Sequence, residues 1–256
     1  MEFRASSLPF CPRAFWLDAR LKPASWRSYA EEVRLWRGDG IHRCLQYWMG
    51  QAGILFGDWE CPVCRMTLGP DYVVHDVLGP PGQCPRHGNT LRYREYELSY
   101  EGLSGHPDGL IPDTAASTES FSLLEIKTLQ HRGFKGSSYP DWMTIKKPYR
   151  PHIEQANAYA RMVPRLKGLR ITNVMIWYVS IDRPTWQPKV FEFAPDEERF
   201  QRNLDVLHEI KNQDLDAAPP LCDPDARNPF CQFAEPGYCT MRTKDLQRHL
   251  KEQELG

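Results

Sequence analysis

No stretch of this chain approaches the roughly 18 consecutive apolar residues that a membrane-crossing helix requires; its longest apolar run is VMIWYV at 174–179. The opening MEFRASSLPFCPR lacks the apolar core of an export signal, so a cytoplasmic protein with no membrane partner is expected. Net charge is nearly absent: 32 Lys and Arg stand against 33 Asp and Glu, a balance of −1. That excludes a global basic field, and any surface for a polyanion must be a local patch. There is no internal repeat and no low-complexity tract. What remains is the balance of a folded globular protein, 41% hydrophobic and 25% charged over 256 residues. That length suits one large domain, or one domain carrying an insertion.

Cysteine, by contrast, is plentiful, with eight residues at 11, 44, 61, 64, 84, 222, 231 and 239. In a reducing compartment, grouped cysteines point to metal rather than to disulfides. Cys61-x-x-Cys64 and Cys84-x-x-His87 are two knuckles with 19 residues between them, a zinc-ribbon pattern. The surrounding stretch, 58–90, is crowded with Gly, Pro, Cys and His and lacks hydrophobic periodicity. It is expected to fold around Zn²⁺ as an insertion, with loss of the ion disordering only the insertion. Such an insertion could grip DNA or a protein partner. Cys44 stands apart and is expected to be a buried core thiol.

Patterning predicts a helix over 13–37 broken by Gly38-Asp39-Gly40, then a second helix IHRCLQYWM. Strands are expected at 91–101, near 109–111 and at FSLLEIKT (121–128). A helix at 152–163 closed by Pro164 follows, then strands NVMIWYVSI and PKVFEFA and a helix over 196–212. The order implies an α/β fold, a mixed sheet flanked by helices.

Within FSLLEIKT, Glu125 and Lys127 face one way while Leu124, Ile126 and Thr128 face the other. Alone, such a pair is an ordinary solvated strand face, and Pro107-Asp108-Gly109 alone is a common turn. Together, an acid at a turn opening one strand and Glu-x-Lys on the next can converge. Two carboxylates can hold Mg²⁺ or Mn²⁺ with sites left for water and a phosphate. A lysine beside them supplies charge for the transition state. Gln155 and Tyr159 lie one turn apart on one helix face, with His152 beside them, and His42 is a candidate further ligand.

Pro107-Asp108 with Glu125-x-Lys127 spells the signature of the PD-(D/E)xK nucleases. With His42 and Gln155-xxx-Tyr159 in the same order, the chain resembles the RecB-like exonuclease branch of that superfamily. Within that branch it is similar to the CRISPR-associated and AddB-type nucleases that carry an iron–sulfur cluster. The resemblance spans about residues 10–240, less 58–90, and every motif position matches in residue type. It implies a restriction-endonuclease-like core and metal ligation by His42, Asp108, Glu125 and the Ile126 carbonyl. It further implies a catalytic Lys127, with Gln155 and Tyr159 contacting DNA or orienting the site. Cys11, Cys222, Cys231 and Cys239 would hold a [4Fe–4S] cluster stapling the chain ends. Gaps of eight and seven residues among the last three are wider than in the family, and four cysteines also suit zinc.

The resemblance thus divides the chain into a helical part (1–57), a zinc-ribbon-like insertion (58–90), the nuclease core (91–215) and a cluster-binding segment (216–256). The stretch 131–152 holds five Lys or Arg and one acid, interleaved with aromatics. Cations for phosphates and rings for bases are what a single-strand groove requires. Its candidates are Arg132, Lys135, Tyr139, Trp142, Lys146, Lys147, Tyr149, Arg150 and His152. The expected activity is a Mg²⁺- or Mn²⁺-dependent DNA exonuclease acting on single strands or free ends. The setting would be repair, recombination, or phage or CRISPR DNA processing, in a bacterium or in a phage host's cytoplasm. An endonuclease of the same superfamily and a non-catalytic DNA-binding subunit are the competing readings.

Overall fold

The computed structural model describes residues 3–8, 11–14, 29–64, 72–114, 119–132, 141–182 and 187–212. A short strand β1 (Phe3–Arg4) and a 3₁₀ turn (Ala5–Ser7) precede helix α1 (Tyr29–Gln51). Then come β2 (Phe56–Glu60), β3 (Val73–Leu78), β4 (Arg92–Arg94), β5 (Leu98–Tyr100), β6 (Leu103–Gly105), β7 (Gly109–Pro112) and β8 (Ser120–Leu129). Helix α2 (Arg150–Lys167), β9 (Arg170–Ser180), β10 (Lys189–Phe193) and helix α3 (Glu197–Asn212) follow among the described residues. Among the described residues no helix is long and apolar enough to cross a membrane.

The fold is mixed α/β. Its main sheet runs β10-β9-β8-β7-β2-β3, with β4 also paired to β2. Among the described residues only β8 and β9 pair in parallel within it, joined by α2 as a crossover helix. A second sheet has the order β1-β6-β5. β8 is the central strand and is buried almost throughout. Its side chains alternate between two cores: Phe121 and Leu123 pack into the larger one with α2 and α3. Leu124 and Ile126 pack on the other face with Met49, Trp59, Cys61, Cys64 and Cys84. Full burial of each such apolar side chain is worth roughly 1.5–3 kcal/mol.

Four expectations are corrected by this architecture. The break expected at Gly38-Asp39-Gly40 is absent, because α1 (Tyr29–Gln51) runs through it, while 15–28 of the expected first helix lie outside the described residues. A helical glycine costs about 1 kcal/mol, but here glycines allow close contact. A Cβ at Gly38 would meet Thr128 Oγ1 at 3.0 Å, and one at Gly50 would meet the Trp59 ring at 2.4 Å. Helix α2 likewise passes Pro164 and ends at Gly168, whose left-handed backbone (φ 71°) donates its N–H to the Pro164 carbonyl. The buried run of Ala156, Ala158, Ala160, Met162 and Val163 outweighs the lost proline hydrogen bond.

The stretch 58–90, expected to lack periodic elements, supplies the last residues of β2 and all of β3, both in the main sheet. Finally, 91–101 is not one strand. It leaves the main sheet after Arg94 and enters the small sheet at Leu98. Tyr96 is buried at the switch, its hydroxyl donating to Asp76 Oδ1 at 2.5 Å.

Candidate active site and metal centre

Asp108 sits one residue before β7, buried, at the end where β7 leaves β8 unpaired. Its Oδ2 accepts the backbone N–H of Ile126 at 2.5 Å. Its Oδ1 lies 3.0 Å from Nδ1 of His42 on α1. A strand residue directs its N–H and C=O to the same edge, so the Ile126 carbonyl leaves β8 on the edge that Asp108 occupies. Burial pulls the His42 imidazole down, but the hydrogen-bonded and charged Asp108 carboxylate lifts it above its ordinary value.

Glu125, one residue back on β8, is 2% exposed. Its Oε1 is 2.7 Å from Lys127 Nζ, while its Oε2 is buried without a hydrogen-bond partner among the described residues. Burial raises its carboxyl to about 7, with Lys127 opposing and Asp108 adding to the shift. Lys127 Nζ also donates to Gln155 Oε1 at 2.7 Å, and Gln155 Nε2 donates to the Tyr159 hydroxyl at 3.2 Å. The ring of Tyr159 closes on Gly105, where a Cβ would come within 2.4 Å. Thus His42, Asp108, Ile126, Glu125, Lys127, Gln155 and Tyr159 form one connected chain of contacts drawn from α1, the turn before β7, β8 and α2.

The donor set suits a hard divalent cation: carboxylates, a carbonyl and an imidazole. A buried carboxylate oxygen with no partner costs free energy unless something charged meets it. Glu125 Oε2 therefore fits an ion at this point.

An open cleft of about 960 Å³ reaches His42 and Asp108 from the α1 side. Glu125 and Lys127 are not among its lining residues. Two lining residues, Gln46 and Glu95, escaped sequence reasoning. Gln46 Nε2 donates both to the Asp108 carbonyl at 2.9 Å and to Glu95 Oε1 at 2.8 Å. Its signal was available, because Gln46 lies one turn after His42.

The second centre is compact. The ligand atoms of Cys61, Cys64, Cys84 and His87 all lie within 4.8 Å of one another. Cys64 Sγ is 3.7 Å from Cys84 Sγ, and His87 Nδ1 is 3.3 Å from Cys64 Sγ and 3.7 Å from those of Cys61 and Cys84. Ligand bonds of roughly 2.0–2.3 Å to a tetrahedral ion place donors about 3.5–3.8 Å apart. The group can hold a metal ion. Burial raises the Cys61 thiol, but the backbone N–H groups of Cys64 and Val63, with Cys84 and His87, bring it down to about 6.

Of the remaining cysteines, Cys11 is half-buried, and Cys222, Cys231 and Cys239 lie outside the described residues. Cys44 is exposed and lines the cleft, not the core; it follows Arg43 on the solvent side of α1.

The proposed groove residues divide. Arg132, Lys146, Lys147 and Arg150 are exposed, and Lys135 and Tyr139 lie outside the described residues. Trp142 is tied into the fold, donating Nε1–H to the Tyr178 carbonyl at 3.0 Å and stacking on His131. The Tyr149 N–H donates to the Tyr178 hydroxyl, which is also 2.7 Å from His152 Nδ1. Burial, with the nearby Lys127 charge, drives His152 down to about 3, so it is neutral.

No family model matches the chain, and no curated protein does. Solved structures do overlap it. SSO0001 is 13% identical over 91% of this chain and 84% of that one, at a TM-score of 0.44. The alkaline exonuclease LHK-Exo from Laribacter hongkongensis is 14% identical over 82% and 88%, at 0.41. The overlaps are partial at these TM-scores, and the chemistry rests on the chain's own residues.

Proposed function

We propose that the protein is a divalent-metal-dependent nuclease of the PD-(D/E)xK, RecB-like kind, hydrolysing phosphodiester bonds of DNA at single strands or free ends. The observation that carries this reading is Glu125: a buried carboxylate with one oxygen unsatisfied, beside an Asp108 clamped by His42 and the Ile126 N–H. His42, Asp108, Glu125 and the Ile126 carbonyl would hold Mg²⁺ or Mn²⁺. When bound, the ion supplies Lewis-acid polarisation of a phosphate oxygen and a more acidic water.

The chain's own part is positioning and charge. Lys127, fixed between Glu125 and Gln155, offers a preorganised cation to the charge that grows on the phosphate. Tyr159 steadies Gln155 and so limits where the ammonium can sit. Neutral His152 adds no competing charge beside Lys127.

Cys61, Cys64, Cys84 and His87 are read as a zinc site, since three thiolates and an imidazole suit that ion. Cys11 with Cys222, Cys231 and Cys239 is read as the [4Fe–4S] set, on sequence grounds alone.

The test is digestion of end-labelled single-stranded DNA with Mn²⁺ by wild type and by Lys127→Ala. Metal-dependent release of mononucleotides or short oligomers by wild type, reduced about a hundredfold or more in the variant, is expected. Cleavage without added metal, or full activity in the variant, would overturn the assignment.

A further inference from the structure

Lys127 on β8 and Tyr178 on β9 are partners in the parallel register, so their side chains leave the sheet on one face, the one packed against α2. Helix α2 meets each of them with one residue. Gln155 Oε1 is 2.7 Å from Lys127 Nζ. His152, one turn earlier on the same helix face, has Nδ1 2.7 Å from the Tyr178 hydroxyl. Two sheet-to-helix pairs therefore stand side by side, and the first already belongs to the proposed active site.

The second pair fixes a tautomer. Tyr178 is 0% exposed. Its oxygen accepts the backbone N–H of Tyr149, the residue that opens α2, at 3.1 Å. Burial pushes the hydroxyl above its ordinary value, so it keeps its proton, and a buried O–H has to donate. Among the described residues the acceptor in reach is His152 Nδ1. A nitrogen that accepts is bare, and the imidazole hydrogen then sits on Nε2, across the ring. Burial, and after it the Lys127 charge, hold His152 well below its ordinary value, which agrees with a bare Nδ1. The ring is half-buried with its Nδ1 edge turned to Tyr178, so Nε2–H is the donor it can offer a ligand.

We propose that Tyr178 is a positioning residue that holds His152 as its Nε2–H tautomer, and that His152 donates this hydrogen to a non-bridging oxygen of the DNA phosphate that Lys127 meets. This rests on the nuclease reading and deepens it, adding a substrate contact and the residue that orients it. Phosphate oxygens accept from neutral donors as well as charged ones. An uncharged N–H adds such a bond without setting a second positive charge against the Lys127 ammonium. No proton is transferred; the hydrogen stays on Nε2.

The experiment has two arms, both on the whole protein. In the first, wild type and Tyr178→Phe with isotopically labelled histidine are compared by NMR of the imidazole nitrogens at neutral pH. The His152 signals are those that His152→Gln lacks. Wild type should show the Nε2–H pattern there, and Tyr178→Phe a mixture of both tautomers. An Nδ1–H pattern in wild type, or an unchanged pattern in Tyr178→Phe, would overturn the positioning role. In the second arm, cleavage of end-labelled single-stranded DNA with Mn²⁺ is measured for His152→Leu, His152→Gln and Tyr178→Phe, with circular dichroism checking the fold. His152→Leu has no donor and should lose about a hundredfold in kcat/KM. His152→Gln keeps both an N–H and an acceptor for Tyr178, and should recover much of that loss. Tyr178→Phe should lose about tenfold, because the ring is less well placed. His152→Leu that cleaves as well as His152→Gln would overturn the phosphate contact. Wild type that does not cleave DNA with Mn²⁺ would instead overturn the nuclease reading and the phosphate contact with it, while the NMR arm decides the Tyr178–His152 pair on its own.

Discussion

The Asp108 carboxylate accepts the backbone N–H of Ile126 across 18 residues of chain at 2.5 Å, in a buried setting. This bond joins the turn before β7 to the middle of β8 just where the two strands stop pairing, and it fixes Asp108 relative to Glu125. Removing the carboxylate has two consequences that separate experimentally. Asp108→Ala should abolish metal-dependent cleavage, at least a hundredfold. It should also leave a buried N–H unpaired, costing on the order of 1–3 kcal/mol of stability. Asp108→Asn retains an acceptor for Ile126, so a denaturant titration should find it closer to wild type while its cleavage stays lost. Equal destabilisation in both variants would mean that the hydrogen bond is not what holds β7 to β8.

The thiolate group is not separable from the core. Cys61, Cys64 and Cys84 pack in one buried cluster with Leu124 and Ile126, the two residues that flank Glu125. Losing the ion should therefore reach beyond residues 61–87, against what their local spacing suggests. Cys61→Ser is expected to cost on the order of 3 kcal/mol, roughly 10 °C in Tm for a chain of this size, and to lower cleavage along with it. A variant that melts and cleaves like wild type would show that the centre serves only its own loop.

The candidate residues that the fold brings together were legible as neighbours because their pattern is local. Alternation places Glu125 and Lys127 on one face of β8, and a turn of helix aligns Gln155 with Tyr159. The Cys-x-x-Cys and Cys-x-x-His spacing likewise anticipated one compact group. What stayed hidden depends on partners distant in sequence. Gly38 reads as a helix breaker until Thr128 is seen against it. Glu95 looked like one position in an alternating strand, because nothing in LRYREYELSYE marks where one sheet hands over to another.

Gly105 tests how finely the Lys127 ammonium must be placed. A methyl group there would stand 2.4 Å from the Tyr159 ring and hydroxyl, so the ring must move. The displacement would pass through the Gln155 amide to Lys127. Gly105→Ala should lower kcat by roughly ten- to a hundredfold through misplacement alone, with Mn²⁺ affinity retained. Tyr159→Phe leaves the packing and removes the hydroxyl, so its loss should be smaller. If Gly105→Ala cleaves as wild type does, the tyrosine is packing only and Lys127 is placed by Glu125.

His152 gives the fold an acid sensitivity of predictable sign. Burial, with Lys127 nearby, depresses its folded pKa to about 3, against about 6.5 in an unfolded chain. The neutral imidazole is thus favoured by the fold. Stability from this group is fully present above about pH 6.5 and is lost as pH falls toward 3, where the unfolded chain binds the proton first. The full difference is on the order of 4–5 kcal/mol, an upper bound because the ring is partly accessible to water. Urea titrations at pH 7.5 and 4.5 measure it. Wild type should lose stability between the two by up to about 3 kcal/mol more than His152→Gln, whose amide can still meet the Tyr178 hydroxyl but cannot take up the proton. Equal losses in both proteins would mean that His152 titrates normally and that its contact with Tyr178 does not exclude water.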